Sequence, residues 1–327
     1  MTSTLPCIII GAGIAGLMAA QTLHRQGIPC LVLEKSKGVG GRMATRRMGE
    51  ALLDHGAQYF TAKTPIFQEW VKSAMHQGIL TPWGEDQPTR FIGTTGMTQF
   101  PKQLAKGLAV RLNTQVTRLQ QKDLNWLLTD QDGNTFRAET VLITAPLPQA
   151  MALVRTFHVN LSMDERNYLE SIQYLPCLAY LGVSDQPSRI PPPGGLSLED
   201  PVLAWVADNQ QKGISPNQSA ITLHGTAPFS REYYEAPDVE VAEVMTRAAS
   251  QWMPKGGCQS WQIKRWRYAQ PTHTFKEPFW VADNCPPLVV AGDAFGGPRV
   301  EGAAVSGLLA ANWLVSSLSL TERAACG

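Results

Sequence analysis

The chain has 327 residues, more than one ordinary core accommodates and a length that suits two lobes. With 44% hydrophobic residues, 17% charged residues and a formal charge of +1, it reads as a globular protein with a sizeable interior. That balance gives no support to a nucleic-acid or membrane-surface role. The cysteines, Cys7, Cys30, Cys177, Cys258, Cys285 and Cys326, form no CxxC pair and no metal spacing, which speaks against a metal centre and suits a reducing cytoplasm.

The first apolar run, Cys7 to Ile10, predicts a buried strand. It is followed by Gly11-Ala12-Gly13-Ile14-Ala15-Gly16, then a helical pattern, then a second strand ending in Glu34. This order is that of a dinucleotide-binding unit. Gly11 lets the chain turn out of the strand, Gly13 lets the backbone approach a pyrophosphate, and Gly16 lets the helix pack close to the sheet. The helix N-terminus offers N–H groups to phosphate, and Glu34 can accept from ribose hydroxyls. The segment is no signal peptide, since it lacks a basic start and glycines interrupt it. Gly40-Gly41-Arg42-Met43 follows, with Arg42 able to bond phosphate oxygens in bidentate fashion.

Ala51 to Phe60 reads as extended chain, Thr64 to Gln77 as a helix with Ile66, Phe67, Trp70, Val71 and Ala74 on one face, and Arg90 to Ile92 as a short strand. A helix over Met97 to Leu108 ends at Gly107. Strands then follow at 109–112, 115–120, 125–129, 135–138 and 140–144. The middle of the chain is richer in proline and tryptophan, with strands at 177–183, 202–206, 220–224 and 259–268 and a helix over 239–253. Leu288 to Ala291 returns to a buried parallel-type strand. The last helix lacks charge from Gly302 to Leu320, but its small residues and its place after a strand favour a helix buried in the protein over a membrane span. The expected fold is α/β, a Rossmann-like nucleotide lobe (1–75, 97–150 and 284–327) interleaved with a mostly antiparallel α+β substrate lobe (76–96 and 151–283). Interleaved lobes of this kind create a cleft for ligands.

Near the C-terminus, Gly292-Asp293 after a strand and Val300-Glu301-Gly302-Ala303 opening the last helix are partners that an NAD-only enzyme does not need. A carboxylate at 293 can accept from ribityl hydroxyls, or it can cap a helix. Amides at the last helix can stabilise charge on a reduced flavin. Together these pieces point to FAD. GAGIAG, Glu34-Lys35, GGRM at 40–43, DHGAQYF at 54–60, RWRYAQP at 265–271, AGD, and RVEGA at 299–303 resemble the flavin-containing amine oxidoreductase superfamily, and within it the renalase-like branch.

The resemblance implies roles residue by residue. Ile14 and Ala15 would lie over the pyrophosphate, Glu34 and Lys35 would bracket the ribose, and Gly41 and Arg42 would approach the phosphates. Gly56, Ala57, Gln58 and Tyr59 would run past the isoalloxazine, and Val116 would face adenine through its backbone. Asp293, Glu301, Gly302 and Ala303 would close the site. The flavin-attachment cysteine motif of monoamine oxidases is missing, so non-covalent FAD is expected. In the second lobe, Trp205, Asn209, His224, Trp266 and Tyr268 are candidates for lining the substrate site. Alternation places Lys264, Trp266 and Tyr268 on one strand face and Arg265 and Arg267 on the other. The same aromatics also read as core residues, and His224 as a hydrogen-bonded structural histidine.

The activity implied by the resemblance is oxidation of 2- and 6-dihydro isomers of NAD(P)H to NAD(P)+, with hydride passing to flavin N5 and oxygen reduced to hydrogen peroxide. Such chemistry needs positioning more than acid–base groups. The alternatives are an oxidase or dehydrogenase for a small amine and a flavin-binding redox module without turnover.

Overall fold

Local chemistry builds the first elements. The computed structural model describes residues 4–157 and 162–325, with side chains to residue 318, and Cys326 lies outside them. β1 (Leu5–Ile10) turns at Gly11, whose φ is +109°, into α1 (Ile14–Arg25), and β2 (Cys30–Leu33) follows. α1 stops at Gln26-Gly27, where Gly27 takes φ +72°, a conformation that suits glycine. Next come β3 (Thr45–Met48), β4 (Ala51–Asp54), α2 (Pro65–His76), β5 (Leu80–Pro82), β6 (Phe91–Gly93) and α3 (Gln99–Leu104). β7 (Ala109–Arg111), β8 (Val116–Lys122), β9 (Asn125–Asp130) and β10 (Thr135–Ile143) precede α4 (Leu147–Val154) and α5 (Met163–Ser171). β11 (Tyr174–Ser184), β12 (Gly195–Ser197), β13 (Leu203–Asp208), β14 (Ser219–Gly225), α6 (Ala227–Glu232), α7 (Asp238–Ala248) and β15 (Ser260–Pro271) form the middle of the chain. β16 (Trp280–Val281), β17 (Leu288–Val290), α8 (Asp293–Gly296) and α9 (Val300–Ala325) complete it.

The chain forms two compact units. The first comprises Met1–Gly41, Pro101–Gln173 and Pro271–Gly327. Its sheet runs β16-β17-β10-β1-β2-β7, and β17, β10, β1, β2 and β7 are mutually parallel. This is the Rossmann-like arrangement. The stretches 135–138 and 140–144, expected as two strands, are one strand. β10 pairs β1 along one edge and divides the other, Thr135–Ala138 pairing with β9 and Val141–Ile143 with β17. Glu139 and Thr140 lie where the partner changes. α9 packs tightly on α1, since a Cβ at Gly307 would stand 2.0 Å from the Ala15 carbonyl oxygen.

The second unit comprises Arg42–Phe100 and Tyr174–Gln270. Its antiparallel sheet runs β12-β13-β14-β11-β15. One face carries Leu178, Tyr180, Leu203, Val206, Ile221, Leu223 and Ile263, packed with Phe229 of α6 and Val241, Ala242 and Met245 of α7. On the other face Leu181, Val183 and Ala220 pack against Ala51 and Leu53 of β4. This second packing gives boundaries unlike those suggested by composition. Residues 42–75 and 97–100 belong with the antiparallel sheet, and 151–173 and 271–283 with the parallel one. The β3–β4 ribbon is the reason, because its apolar residues are covered by β11 and β14. Among the described residues no helix is long and apolar enough to cross a membrane.

Candidate functional site

The glycine turn of the first unit is built for close approach at one position and for packing at another. A Cβ on Gly16 would lie 2.0 Å from the Gly11 carbonyl oxygen, so helix and turn touch there. A Cβ on Gly13 would meet nothing within 4 Å. Gly13 is the N-cap of α1, no side chain caps the helix, and its first turn holds no acid. An uncapped N-terminus with open space over its glycine has the free amides and the room that an anion requires. Gly40 donates its N–H to the Ala12 carbonyl at 2.8 Å. Gly41, at φ +52°, would place a Cβ 3.4 Å from the Gly13 Cα.

Glu34 is buried, and its carboxylate accepts from the Ala12 N–H at 2.7 Å and from the Ser36 N–H at 2.8 Å. It therefore fastens the turn to the end of β2, a task beyond the ribose contact read from the sequence. A carboxylate accepts about four hydrogen bonds, so two sites remain for hydroxyls. The Lys35 ammonium lies 3.1 Å from the Gln149 side-chain oxygen. Val116 is buried at the start of β8, opposite Asp130. At the far end, the Gly292 N–H donates to Ser306 Oγ at 2.8 Å, and Asp293 is buried at the head of α8. Glu301, Gly302 and Ala303 form the first turn of α9. A Cβ at Gly302 would stand 2.5 Å from the Gly296 oxygen and 2.6 Å from the Gly297 oxygen. Tight packing thus accounts for this glycine.

In the second unit the β3–β4 ribbon presents two faces. Thr45 stands opposite Asp54 and Arg46 opposite Leu53. Asp54 and Lys212 form an ion pair of 2.7 Å with both side chains wholly buried. Asp54 Oδ1 also accepts from Thr45 Oγ1 at 2.6 Å and from the Met97 N–H at 2.9 Å. Burial pulls the Lys212 ammonium below its ordinary pKa, and the Asp54 charge opposes that shift. Asn209 Oδ1 accepts from the Asp54 N–H at 3.2 Å, while its Nδ2 donates to the Ala220 carbonyl and to Thr222 Oγ1. Thr222 Oγ1 donates to the Asp54 carbonyl at 2.9 Å. The DHGAQ segment is thereby anchored from both sides of its backbone.

Immediately beyond this anchor, His55 stacks on Trp266, with ring centroids 5.2 Å apart and planes 18° apart. Trp266 Nε1 donates to the His55 carbonyl at 2.7 Å, and the His224 ring also hydrogen-bonds to the His55 backbone. Burial lowers His55 to a pKa of about 4, helped by the Lys264 and Arg46 charges and opposed by Asp54. Burial likewise lowers His224 to about 4, against the effect of its bond to His55. Both rings are neutral at pH 7. His55 Nδ1, Gln58 Oε1, Trp205 Nε1, His224 Nε2 and Arg46 Nε are buried polar atoms without a protein partner. Each such atom calls for a partner that the chain itself does not supply, a water, an ion or a bound molecule.

The alternation read on β15 holds for the contacts described. Trp266 faces His55, whereas Arg265 bonds Asp238 and the Tyr234 and Ala236 carbonyls, and Arg267 pairs with Glu235 at 3.1 Å. Tyr268 meets Tyr174 edge-on at 5.7 Å. Trp205 packs with Tyr59 and Trp83 at 5.7 and 6.2 Å.

His224, Trp266 and Trp205 thus lie near the DHGAQ segment, with Tyr268 farther along β15. Asn209 differs. It is wholly buried and its amide is spent on Asp54, Ala220 and Thr222, so it positions the segment and lines nothing. Arg42 Nη1 donates to the Tyr268 and Ala269 carbonyls at 3.2 Å each. Its own carbonyl accepts from the Ala57 N–H, and a Cβ on Gly56 would lie 1.9 Å from that oxygen. Gln58 Nε2 donates to the Asp54 carbonyl at 2.7 Å. Sequence reading missed His55 and the Asp54–Lys212 pair. The DHG signal was visible, but the lysine lies 158 positions away from it.

Residues 9–74 match an NAD(P)-binding Rossmann-like domain, and residues 65–314 match the flavin containing amine oxidoreductase family. Renalase of Mus musculus is 24% identical over 328 residues, covering 92% of this chain and 96% of that protein. An acetone monooxygenase of Gordonia sp. (strain TY-5) is 30% identical over 147 residues, 43% of this chain and 25% of its own length. A structure of putrescine oxidase with putrescine bound superposes with a TM-score of 0.73 over 97% of this chain and 100% of its own, at 14% identity, a likeness of fold.

Proposed function

Since the chain belongs to the flavin-containing amine oxidoreductase family and is an FAD-dependent oxidoreductase, we propose that it oxidises the 2- and 6-dihydro isomers of NAD(P)H to NAD(P)+, with oxygen as electron acceptor and hydrogen peroxide as product. The observation that carries this reading is the match to renalase along nearly the whole of both chains. The acetone monooxygenase match covers only 43% of this chain. The residues fit the cofactor. The uncapped α1 N-terminus and the space over Gly13 suit a pyrophosphate, and Glu34 retains acceptor capacity for a ribose. Ile14, Ala15, Gly41, Val116 and Asp293 join them as the residues that would hold it. Bound FAD supplies a two-electron acceptor for hydride.

The polypeptide's part is to seat a donor and keep it unprotonated. His55 and His224, both neutral, carry no negative charge that would pair with an ammonium. Asp54, the neighbouring carboxylate, is committed to Lys212, Thr45 and Met97, so it offers no counter-charge to an ammonium. That favours a neutral dihydronicotinamide ring over a cationic amine. Attachment of the flavin is non-covalent in this reading. The described cysteines are all thiols, in keeping with a reducing cytoplasmic setting.

The test is anaerobic mixing of the purified flavoprotein with borohydride-generated NADH isomers while flavin absorbance is followed. Rapid bleaching by the minor isomers, with none by ordinary NADH or by amines, is the expected result. Bleaching by putrescine or another amine alone would overturn the proposal in favour of amine oxidation.

A further inference from the structure

Trp205 and His224 stand opposite each other in the β13–β14 ladder, so their side chains leave the sheet on one face. Trp205 is 7% exposed and its Nε1–H has no acceptor. An indole nitrogen can only donate. The His224 ring hydrogen-bonds to the His55 backbone, and its Nε2 has no partner. Nδ1 is therefore the nitrogen engaged. It donates its proton to the backbone, and in a neutral imidazole that leaves Nε2 with a lone pair. One orphan donor and one orphan acceptor thus sit on neighbouring strands. Tyr59 and Trp83 pack against the indole, and Trp266 holds the same His55 backbone that His224 holds.

Resting on the dihydronicotinamide reading above, we infer that Trp205 and His224 recognise the primary carboxamide of the nicotinamide ring. The indole N–H donates to the amide carbonyl, and His224 Nε2 accepts from the amide nitrogen. A primary carboxamide carries both a donor and an acceptor, as this pair requires. An ammonium group carries donors only and would leave the Trp205 N–H unmet.

The experiment uses the FAD-loaded enzyme and two substrates, the 6-dihydro isomer of NADH and the matching isomer of its 3-acetylpyridine analogue, which keeps the carbonyl but lacks the N–H. Apparent dissociation constants come from the concentration dependence of anaerobic flavin bleaching. Affinity for oxidised nicotinamide mononucleotide, read from the perturbed flavin spectrum, gives a measure independent of turnover. The wild type should bind the acetylpyridine analogue about tenfold more weakly. His224→Phe should lose about the same factor with the amide and nothing further with the analogue, while His224→Gln, which restores an acceptor, recovers binding of the amide. Trp205→Phe should weaken both substrates alike. Unchanged affinities in both Phe variants, with isomers that still bleach the flavin, would overturn this inference alone. Failure of every dihydronicotinamide isomer to bleach wild-type flavin would overturn the substrate reading and this inference with it. Should the Phe variants lose their flavin, the wild-type ratio decides, and a ratio of one sinks the proposal.

Discussion

The glycine turn of the first unit and the Asp54 anchor of the second meet buried polarity in opposite ways. Around the turn, backbone amides are kept in place by neighbours close in space and in sequence pattern: Ala12 by Glu34, Gly40 by Ala12, Leu17 by Gly13. The cost of burial is small because each group is neutral or shares a charge with nearby N–H donors. The anchor buries two full charges, Asp54 and Lys212, that come together only through the antiparallel sheet. A turn of the first kind is held by its own backbone amides. A pair of the second kind does not tolerate loss of a member, since the survivor is a charge left in a dry interior.

The largest expected effect follows from that difference. Lys212→Met should lower unfolding stability by about 3–5 kcal/mol, measured as the urea midpoint at pH 7. Lys212→Met combined with Asp54→Leu should regain much of the loss. Additive losses in the double variant would show that the pair acts through packing and not through charge.

Next is a contrast inside the turn itself. Gly16→Val puts side-chain atoms against the Gly11 carbonyl, 2.0 Å from the first added carbon, and should cost about 3 kcal/mol or more of stability. Gly13→Val meets open space and should fold normally while purifying without yellow colour, because the added methyls occupy the phosphate cradle. Circular dichroism melting and flavin absorbance separate the two outcomes. A yellow, active Gly13→Val protein would show that no phosphate lies against Gly13.

The smallest effect concerns pH. His55 and His224 each fall from an ordinary 6.5 to about 4. Their contribution to stability is complete above the unfolded value near 6.5 and declines as pH drops toward 4, because the unfolded chain takes up protons that the folded chain refuses. The slope is at most about 1.4 kcal/mol per pH unit for each histidine, reduced because neither residue is wholly buried. Urea unfolding between pH 7 and 4.5 should show a shallower decline in His55→Phe than in the wild type. Equal slopes would mean that His55 is not held neutral by the fold.

Local pattern determined much about this protein. The alternation of apolar run, glycines and helix specified β1, α1 and β2, and the small residues of the last helix argued correctly for burial. Even the opposite faces of β15 were legible, since a period of two is a property of the strand alone. Spacing could not reveal that 135–138 and 140–144 are one strand, because the break lay in the partners and not in the chain. Nor could it assign Asn209 to structure. That residue's chemistry is ambiguous until its three hydrogen bonds are seen. The Asp54–Lys212 pair, the neutral state of His55 and His224, and the unpartnered nitrogens of Trp205 and His224 were decided only by tertiary structure. Desolvation depends on what surrounds a group in space, and here the surrounding residues come from strands far apart in the chain.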